Sequence, residues 1–404
     1  MEINLVLQVP LPDPDRLRQT AWRQRNVARI KANRAYRLQQ LDRDRDAISR
    51  AARAYRLLDR GTLTAVVLRG RFIRLDTPRR PTVDEQIEEP GHLSPEELAR
   101  EREREIRTRP PLTQLVHRQS SALSVYLTAI YVAHLELQAG NAYVNNRRNS
   151  RTEGDRASWI WVTGMHSSSD VRVRRARMRR ALDELDAASL VSIRPPGARS
   201  RYEGWKPLRD DGTGSPYVVP SERRPGAVDL SPGFFLNGWH LVLTSGEIAM
   251  LLAITHMHRL MGGSNDPRDE TWVALPQSVR RNSYGLTGEI YLHAQQLHEF
   301  GLIEFHDPMP NRKRGKISPR QVTPIPAPAT DENGLAQRQE PPEPVPYQFR
   351  PANPMVFNQN AFTVVHDTLT ELSLPYRLDD NGILIPPQSL VKSYREAKRY
   401  DQRR

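Results

Sequence analysis

Two stretches of this chain repeat one order of predicted secondary-structure elements, and this repeat limits the fold more than any other feature. In the first stretch, residues 123–137 are apolar on more than one side and predict a buried helix. A polar loop leads to a predicted strand at Trp159–Val162, a helix over 170–188 and a strand over 190–193. Such an order predicts a mainly helical domain that carries a small sheet.

The second stretch has the same order about 110 residues later. Its predicted elements are an apolar helix at 248–261, a strand at 271–275, a short helix at 276–284, a helix at 286–300 and a strand at 301–305. Trp161 precedes Ser189 by 28 residues, and Trp272 precedes Gly301 by 29. We therefore expect two related domains in tandem.

The charge of the chain favours a polyanionic partner. The 60 basic residues outnumber the 47 acidic ones, which gives a formal net charge of +13. Nucleic acid is the commonest polyanion that so basic a protein binds. Nearly all of the basic residues are arginine, which can reflect base composition of the genome, so their positions carry more information than their number.

Six arginines fall within the nine positions 172–180, directly before the apolar positions of the same helix. Arg172, Arg175 and Arg179 are spaced at i, i+3 and i+7, so they share one helical face, and Arg174 lies close by. The opposite face is apolar, with Met178, Ala181, Leu182 and Leu185. A helix that enters the major groove of DNA needs this combination of donors and apolar anchors. A solvated basic helix that meets an acidic protein partner is the alternative.

The second stretch carries its charge elsewhere. Its longer helix has no arginine, and Gln295 is its candidate for reading adenine, although glutamine is also ordinary in helices. Further candidates for DNA contact lie in the short helix and in a basic turn around Gly315, namely Arg280, Arg281, Arg312, Lys313, Arg314 and Lys316. The turn suits backbone or minor-groove contact, and a merely solvated turn is the alternative.

This pattern resembles the winged-helix family of DNA-binding domains, present twice over about residues 112–323. The resemblance rests on paired positions: Trp161-Val162 and Trp272-Val273 as the strand after the first helix, Leu182/Leu185 and Leu292/Leu297 as the core side of the third helix, and 190–193 and 302–305 as the strand that enters the wing. It implies that the third helix binds the major groove and that two domains span two half-sites. The first copy departs from the pattern, since its second helix falls on HSSSDVRV, unless 167–170 caps one continuous helix.

The fold class that follows is mainly α with small β (α+β), with flanking segments around the tandem domains. We expect a basic helical region at 1–61, a β-hairpin and a charged helix at 62–111, winged-helix domains at 112–240 and 241–325, and a Pro-rich linker with a basic C-terminal segment at 326–404. The Pro-rich sequence continues to Pro354 and predicts an extended linker. A helix from Phe362 and a turn at 379–382 are expected beyond it.

Several function classes lack their sequence signatures. The chain has no cysteine, which excludes disulfides and thiolate zinc sites, and it has neither a phosphate-binding G-x-x-x-x-G-K-[ST] loop nor a G-x-S-x-G motif. His256-Met257-His258 matches a metal-binding motif of nicking nucleases, but it lies in an apolar helical window. We expect no enzyme activity, no cofactor, no metal, no membrane association and a cytoplasmic location.

The sequence thus predicts a sequence-specific double-stranded-DNA-binding protein. A replication initiator is favoured over a transcription regulator, because no separate ligand-sensing domain is evident and the basic flanks suit recruitment of protein partners through the N-terminal helix or the C-terminal tail. A structural or RNA-associated basic protein is the remaining alternative.

Overall fold

The computed structural model describes the greater part of the chain, as a mixed α+β fold. The described residues are 14–79, 103, 105–117, 121–149, 158–165, 170–220, 226–264, 266, 269–308, 345–373, 377–378 and 384–385. The chain divides into two compact units, one formed by Met1–Arg45 with Val365–Arg404 and the other by Asp46–Val364.

The helices and strands of the described residues are numbered here in chain order. The α-helices are α1 (Pro14–Leu58), α2 (Gly70–Ile73), α3 (Pro111–His117), α4 (Ala122–Glu136), α5 (Trp159–Val162), α6 (Val171–Ala187), α7 (Pro232–Leu236), α8 (Trp239–Val242), α9 (Ser245–Leu260), α10 (Gln277–Asn282), α11 (Gly288–Glu299) and α12 (Ala361–Ser373), and a 3₁₀-helix covers Pro354–Asn358. The strands are β1 (Val66–Leu68), β2 (Val191–Ser192), β3 (Lys206–Pro207), β4 (Val228–Leu230), β5 (Val273–Ala274), β6 (Ile303–His306), β7 (Gln348–Pro351), β8 (Arg377–Leu378) and β9 (Leu384–Ile385).

The smaller unit contains the first part of α1, the second part of α12 and the β8–β9 pair. Arg34 Nη1 donates a hydrogen bond to the carbonyl of Leu372 at 2.9 Å, and His366 Nε2 lies 3.3 Å from Asp42 Oδ1. The predicted N-terminal helix and the predicted helix from Phe362 are confirmed. The expected turn at 379–382 lies outside the described residues, and β8 and β9 on either side of it pair in antiparallel fashion.

The second half of the larger unit follows the predicted order closely. Helix α9 begins with a capping box, in which Thr244 Oγ1 accepts from the Glu247 amide at 3.2 Å and Glu247 Oε2 accepts from the Thr244 amide at 2.8 Å. Strand β5, the short helix α10, the longer helix α11 and strand β6 then follow as expected. Strand β7 completes an antiparallel sheet in the order β5–β7–β6.

The predicted extended linker up to Pro354 is wrong at its end, because β7 is the central strand of that sheet. Phe349 is fully buried, and its ring lies 5.8 Å from the rings of Phe305 and Tyr291. Arg350 Nη2 bonds Glu304 Oε2 at 2.5 Å on the neighbouring strand. The prolines at 346 and 351 misled the prediction, since a proline is tolerated at a strand end, where a ladder donor is dispensable.

The first half of the larger unit differs from its prediction at Trp159–Val162, which is helix α5 and no strand. Residues Trp159, Ile160 and Val162 are all buried, so burial does not alternate, and Trp159 Nε1 donates to Asn145 Oδ1 at 2.9 Å. A four-residue apolar run fits a strand and a buried helical turn equally well. The expected pairing of Trp161 with Trp272 as equivalent strand residues is therefore wrong.

The strand-like segment of the first half lies earlier in the chain, just after α4. Ala142 forms an antiparallel bridge with Val218, the Tyr143 amide donates to the Tyr217 carbonyl at 2.9 Å, and the Val219 amide donates to the Asn141 carbonyl at 3.0 Å. Helices α5 and α6 follow, and then the antiparallel β2–β3 pair. The first half thus runs helix, bridge, short helix, long helix, hairpin.

The hairpin predicted at 62–75 is also wrong. Strand β1 pairs with β4, more than 150 residues later, and Gly70 opens helix α2. A Cβ atom on Gly70 would lie 2.7 Å from the carbonyl oxygen of Gly226, so this glycine serves a close backbone approach and no turn. The sequence predicted a glycine-dependent turn here, whereas the structure needs the glycine for close packing.

The C-terminal part of α1 belongs to the core of the larger unit. Ala47, Ala51 and Tyr55 are fully buried, and the Tyr55 hydroxyl lies 3.0 Å from His240 Nε2 and bonds the carbonyl of Val162. The end of the predicted basic helical region at 1–61 is therefore a core element of the larger unit.

Candidate nucleic-acid interface

Helix α6 presents arginines on one side and buries apolar side chains on the other. Asp170 caps it, since its Oδ1 accepts from the Arg172 amide at 2.7 Å. Arg172, Arg175 and Arg179 are exposed, and Arg174 is half-buried. The core side consists of Met178, Ala181, Leu182 and Leu185, all buried as the sequence predicts.

The β2–β3 hairpin contacts α6 through an aromatic residue, Tyr202, that was not predicted from the sequence. The Tyr202 hydroxyl donates to Asp183 Oδ2 at 3.0 Å, and the guanidinium of Arg179 lies 5.7 Å from the Tyr202 ring centroid. Arg201 stacks on the same ring at 5.0 Å. The signal that pointed to this contact is a tyrosine among arginines in the loop RSRYEGW.

The charge of α6 is asymmetric along its length. Acidic residues enter only from Asp183 onward, where Arg180 Nε pairs with Glu184 at 3.1 Å and Arg201 pairs with Asp183 at 3.2 Å. The stretch 172–180 carries six arginines and no acidic residue. Arg172 and Arg174 lie in the first turn, where an exposed positive charge opposes the helix dipole and costs about 0.3–1 kcal/mol. Helix stability therefore does not account for the position of these two arginines.

Of the two arginines of α10 that are candidates for DNA contact, one packs against a neighbouring helix and the other is exposed. The Arg280 guanidinium lies 4.5 Å from the Tyr291 ring centroid, and burial lowers the pKa of Arg280, so this arginine joins α10 to α11. Arg281 is exposed, and its carbonyl accepts from Arg79 Nε at 3.1 Å. Arg281 remains on the surface as a candidate for phosphate contact.

Helix α11 exposes a face that is not basic. Gln295 is exposed, and so are Glu289 and Leu292 on the same helix. The expectation that Leu292 packs in the core is wrong, since 71% of its surface is accessible, whereas Leu297 is fully buried as predicted. The buried side of α11 contains Ile290 and Ala294 together with Leu297.

The basic turn with Arg312, Lys313, Arg314 and Lys316 lies outside the described residues. Its neighbours in sequence are described, since β6 ends at His306 and β7 begins at Gln348. The turn therefore belongs to the connection between two paired strands of one sheet. Its role in phosphate contact stays a prediction.

The histidine pair of the nuclease-like motif is buried in α9. His256 Nδ1 lies 2.9 Å from the Tyr284 hydroxyl, and burial, together with the nearby Arg74, lowers the pKa of His256 to about 4. His258 Nε2 faces Asp269 at 3.6 Å. The two imidazoles have separate partners, and no cluster of three metal-ligating side chains occurs in the parts of the chain that the structure describes.

Among the helices described, none combines the length and the apolar character that crossing a bilayer requires. Comparison with models of known protein families, with curated proteins and with solved structures finds no match for the chain.

Proposed function

We propose that this protein binds double-stranded DNA in a sequence-specific manner through two winged-helix-like halves of its larger unit. The observation that carries the proposal is the exposed arginine face of α6, formed by Arg172, Arg175 and Arg179. These side chains lie within the first nine residues of the helix, the end at which a groove-binding helix meets DNA, and Arg172 in the first turn opposes the helix dipole. A polyanionic ligand offsets that cost.

The order of elements supports winged-helix geometry for the second half. Helix α9, strand β5, helices α10 and α11, and strands β6 and β7 follow one another, and the last strand lies between the other two. In this arrangement β6 and β7 form the wing, and α11 is the third helix. The stretch 307–347 between these strands includes the basic turn around Gly315.

The first half supports the same proposal with a different set of elements. The bridge at Ala142 takes the place of the first strand, α5 that of the second helix, α6 that of the third helix, and β2–β3 that of the wing. Helix α5 supports this assignment, because it is a helical turn at the position where a winged helix has its second helix. HSSSDVRV is not required for that role.

The two halves differ in how they would contact DNA. Helix α6 supplies arginines for base and phosphate contacts, whereas α11 exposes Gln295 and the acidic Glu289 and has no arginine. We therefore assign readout of the major groove mainly to α6, and backbone contact to Arg281 and to the turn at 312–316. Half-sites about 10 base pairs apart suit two such domains in one chain.

A replication-initiator-like role is our preferred form of this function, because the chain carries long basic segments outside the two halves. A transcription regulator remains the second candidate. Selection of genomic fragments from the source cell, followed by sequencing, separates them. One cluster of repeated sites supports an initiator, many promoters support a regulator, and no enrichment argues for a structural or RNA-associated protein.

The decisive variant pair lies on α6 itself. Arg172→Ala/Arg179→Ala removes two charges from the proposed DNA face, and Arg177→Ala/Arg180→Ala removes two from a neighbouring face. Since alanine favours helix, both variants keep the fold. The first should lose discrimination between the selected site and random DNA by about 1–3 kcal/mol for each base contact, and the second should lower both affinities alike. Equal losses of specificity in a competition assay would refute the assignment.

A further inference from the structure

The larger unit contains a cavity of about 640 Å³ that the proposed DNA contacts do not use. Helix α2, the chain around Arg209, the segment Val218–Pro220 and the end of α9 surround it. Sites for small ligands commonly enclose roughly 300–1,000 Å³. A second cavity of about 440 Å³ shares Arg71, Arg74 and Asp211 with the first and extends toward Arg107 and Arg109.

Arginines dominate the charged lining of both cavities. The charged residues of the larger cavity are Arg69, Arg71, Arg74, Arg209, Asp76 and Asp211. Arg69 bonds the buried Asp210 at 2.5 Å, Arg209 pairs with Asp211 at 2.7 Å, and Arg71 pairs with Asp76. Arg107 and Arg109 in the smaller cavity pair with Glu103 and Glu105.

Arg74 is the exception among these arginines. It lines both cavities, and no carboxylate of the described residues pairs with it. The other arginines of the two linings have Asp or Glu partners, so Arg74 is the lining arginine whose charge an anionic ligand would offset.

The wall next to Arg74 is tightly packed. A Cβ atom on Gly70 would lie 2.7 Å from the Gly226 carbonyl oxygen and 3.0 Å from His256 Nε2, and Tyr284 holds the other ring nitrogen of His256. The cavity is therefore preformed on this side. Preformed sites lose less conformational entropy when a ligand binds.

We propose that this cavity binds a small phosphorylated ligand, with Arg74 as the residue that contacts a phosphate group. The guanidinium fork matches the oxygens of a phosphate, and Arg71 and Arg69 flank it in the same cavity. The two joined cavities accommodate a ligand with more than one phosphate. The ligand binds without DNA, so this site is independent of the proposed DNA contacts.

Calorimetric titration of the full chain at about 150 mM salt tests the proposal, with inorganic tripolyphosphate and ATP as the probes. The wild type should bind at least one probe, and Arg74→Ala should weaken that binding tenfold or more, because a charge-assisted contact is lost. Arg53→Ala, which removes an equally charged but exposed residue of α1, should bind within twofold of the wild type.

Three results overturn the proposal: no binding of either probe by the wild type, unchanged binding by Arg74→Ala, or displacement of the probe by duplex DNA. The third result would make the cavity part of the DNA surface. If Arg74→Ala does not fold, as judged by its melting curve, Arg74→Lys takes its place. Lysine keeps the charge and loses the fork, so its affinity should fall below that of the wild type, and equal affinity counts against the proposal.

Discussion

At the scale of single residues, the Arg69–Asp210 and Arg71–Asp76 pairs show how burial determines what an ion pair contributes to stability. Asp210 is fully buried and accepts from the Arg69 amide at 2.7 Å and from Arg69 Nη1 at 2.5 Å. Arg69 Nη2 also donates to the Val218 carbonyl at 2.7 Å. The Arg71–Asp76 pair is exposed on both sides. Only the first pair ties separate segments of the fold together.

We predict that Asp210→Ala lowers the free energy of unfolding by about 3 kcal/mol, because it leaves Arg69 half-buried without its partner. Asp76→Ala is the matched control, and it should cost less than about 1 kcal/mol, since solvent screens an exposed pair. Urea unfolding followed by circular dichroism measures both. Equal costs for the two variants would show that the Arg69–Asp210 pair does not hold β1 and the Asp210 segment together.

At the scale of elements, the sequence predicted the second half of the larger unit better than the first. Helices α9, α10 and α11 and strands β5 and β6 were expected in this order, because long periodic helices and alternating strands carry strong local signals. The arginine and apolar faces of α6 were also expected. A single β-bridge and a four-residue helix give no such signal, so the Ala142 bridge was missed and α5 was predicted as a strand.

Strand β7 was missed for a different reason. It pairs with β5 and β6 across an intervening stretch of more than 40 residues, so only tertiary contact defines it. Its local sequence, QFRP, is short and flanked by prolines. Arg74 was missed as well, because nothing local marks an arginine whose neighbours come from distant segments.

We predict that Phe349→Ala destabilises the larger unit by about 3–5 kcal/mol, because it removes a buried ring between Phe305 and Tyr291. Met355→Ala is the control, since Met355 is 68% exposed and should change stability by less than about 0.5 kcal/mol. The urea midpoint, monitored by tryptophan fluorescence, reports both. If Phe349→Ala leaves the urea midpoint unchanged, the segment before Pro354 is a linker after all.

At the scale of the whole molecule, the excess of positive charge predicts how DNA binding responds to salt. Each phosphate that a basic side chain neutralises releases a counterion, so affinity falls steeply as salt rises. With on the order of 6–10 phosphate contacts, affinity for any duplex should fall roughly a thousandfold or more between 50 and 200 mM salt. A flat response would refute duplex binding of this kind.

The same salt titration distinguishes the contribution of the wing to DNA binding from that of helix α6. Replacing Arg312, Lys313, Arg314 and Lys316 by alanine should lower affinity for the selected site and for random duplex alike, and should shallow the salt slope by roughly one unit for each lost contact. The α6 variant Arg172→Ala/Arg179→Ala should instead lower the ratio of specific to random binding. If the wing variant loses that ratio and the helix variant keeps it, the roles are reversed. If neither variant changes binding, the basic segments outside the two halves carry the DNA contacts, since they hold much of the remaining arginine.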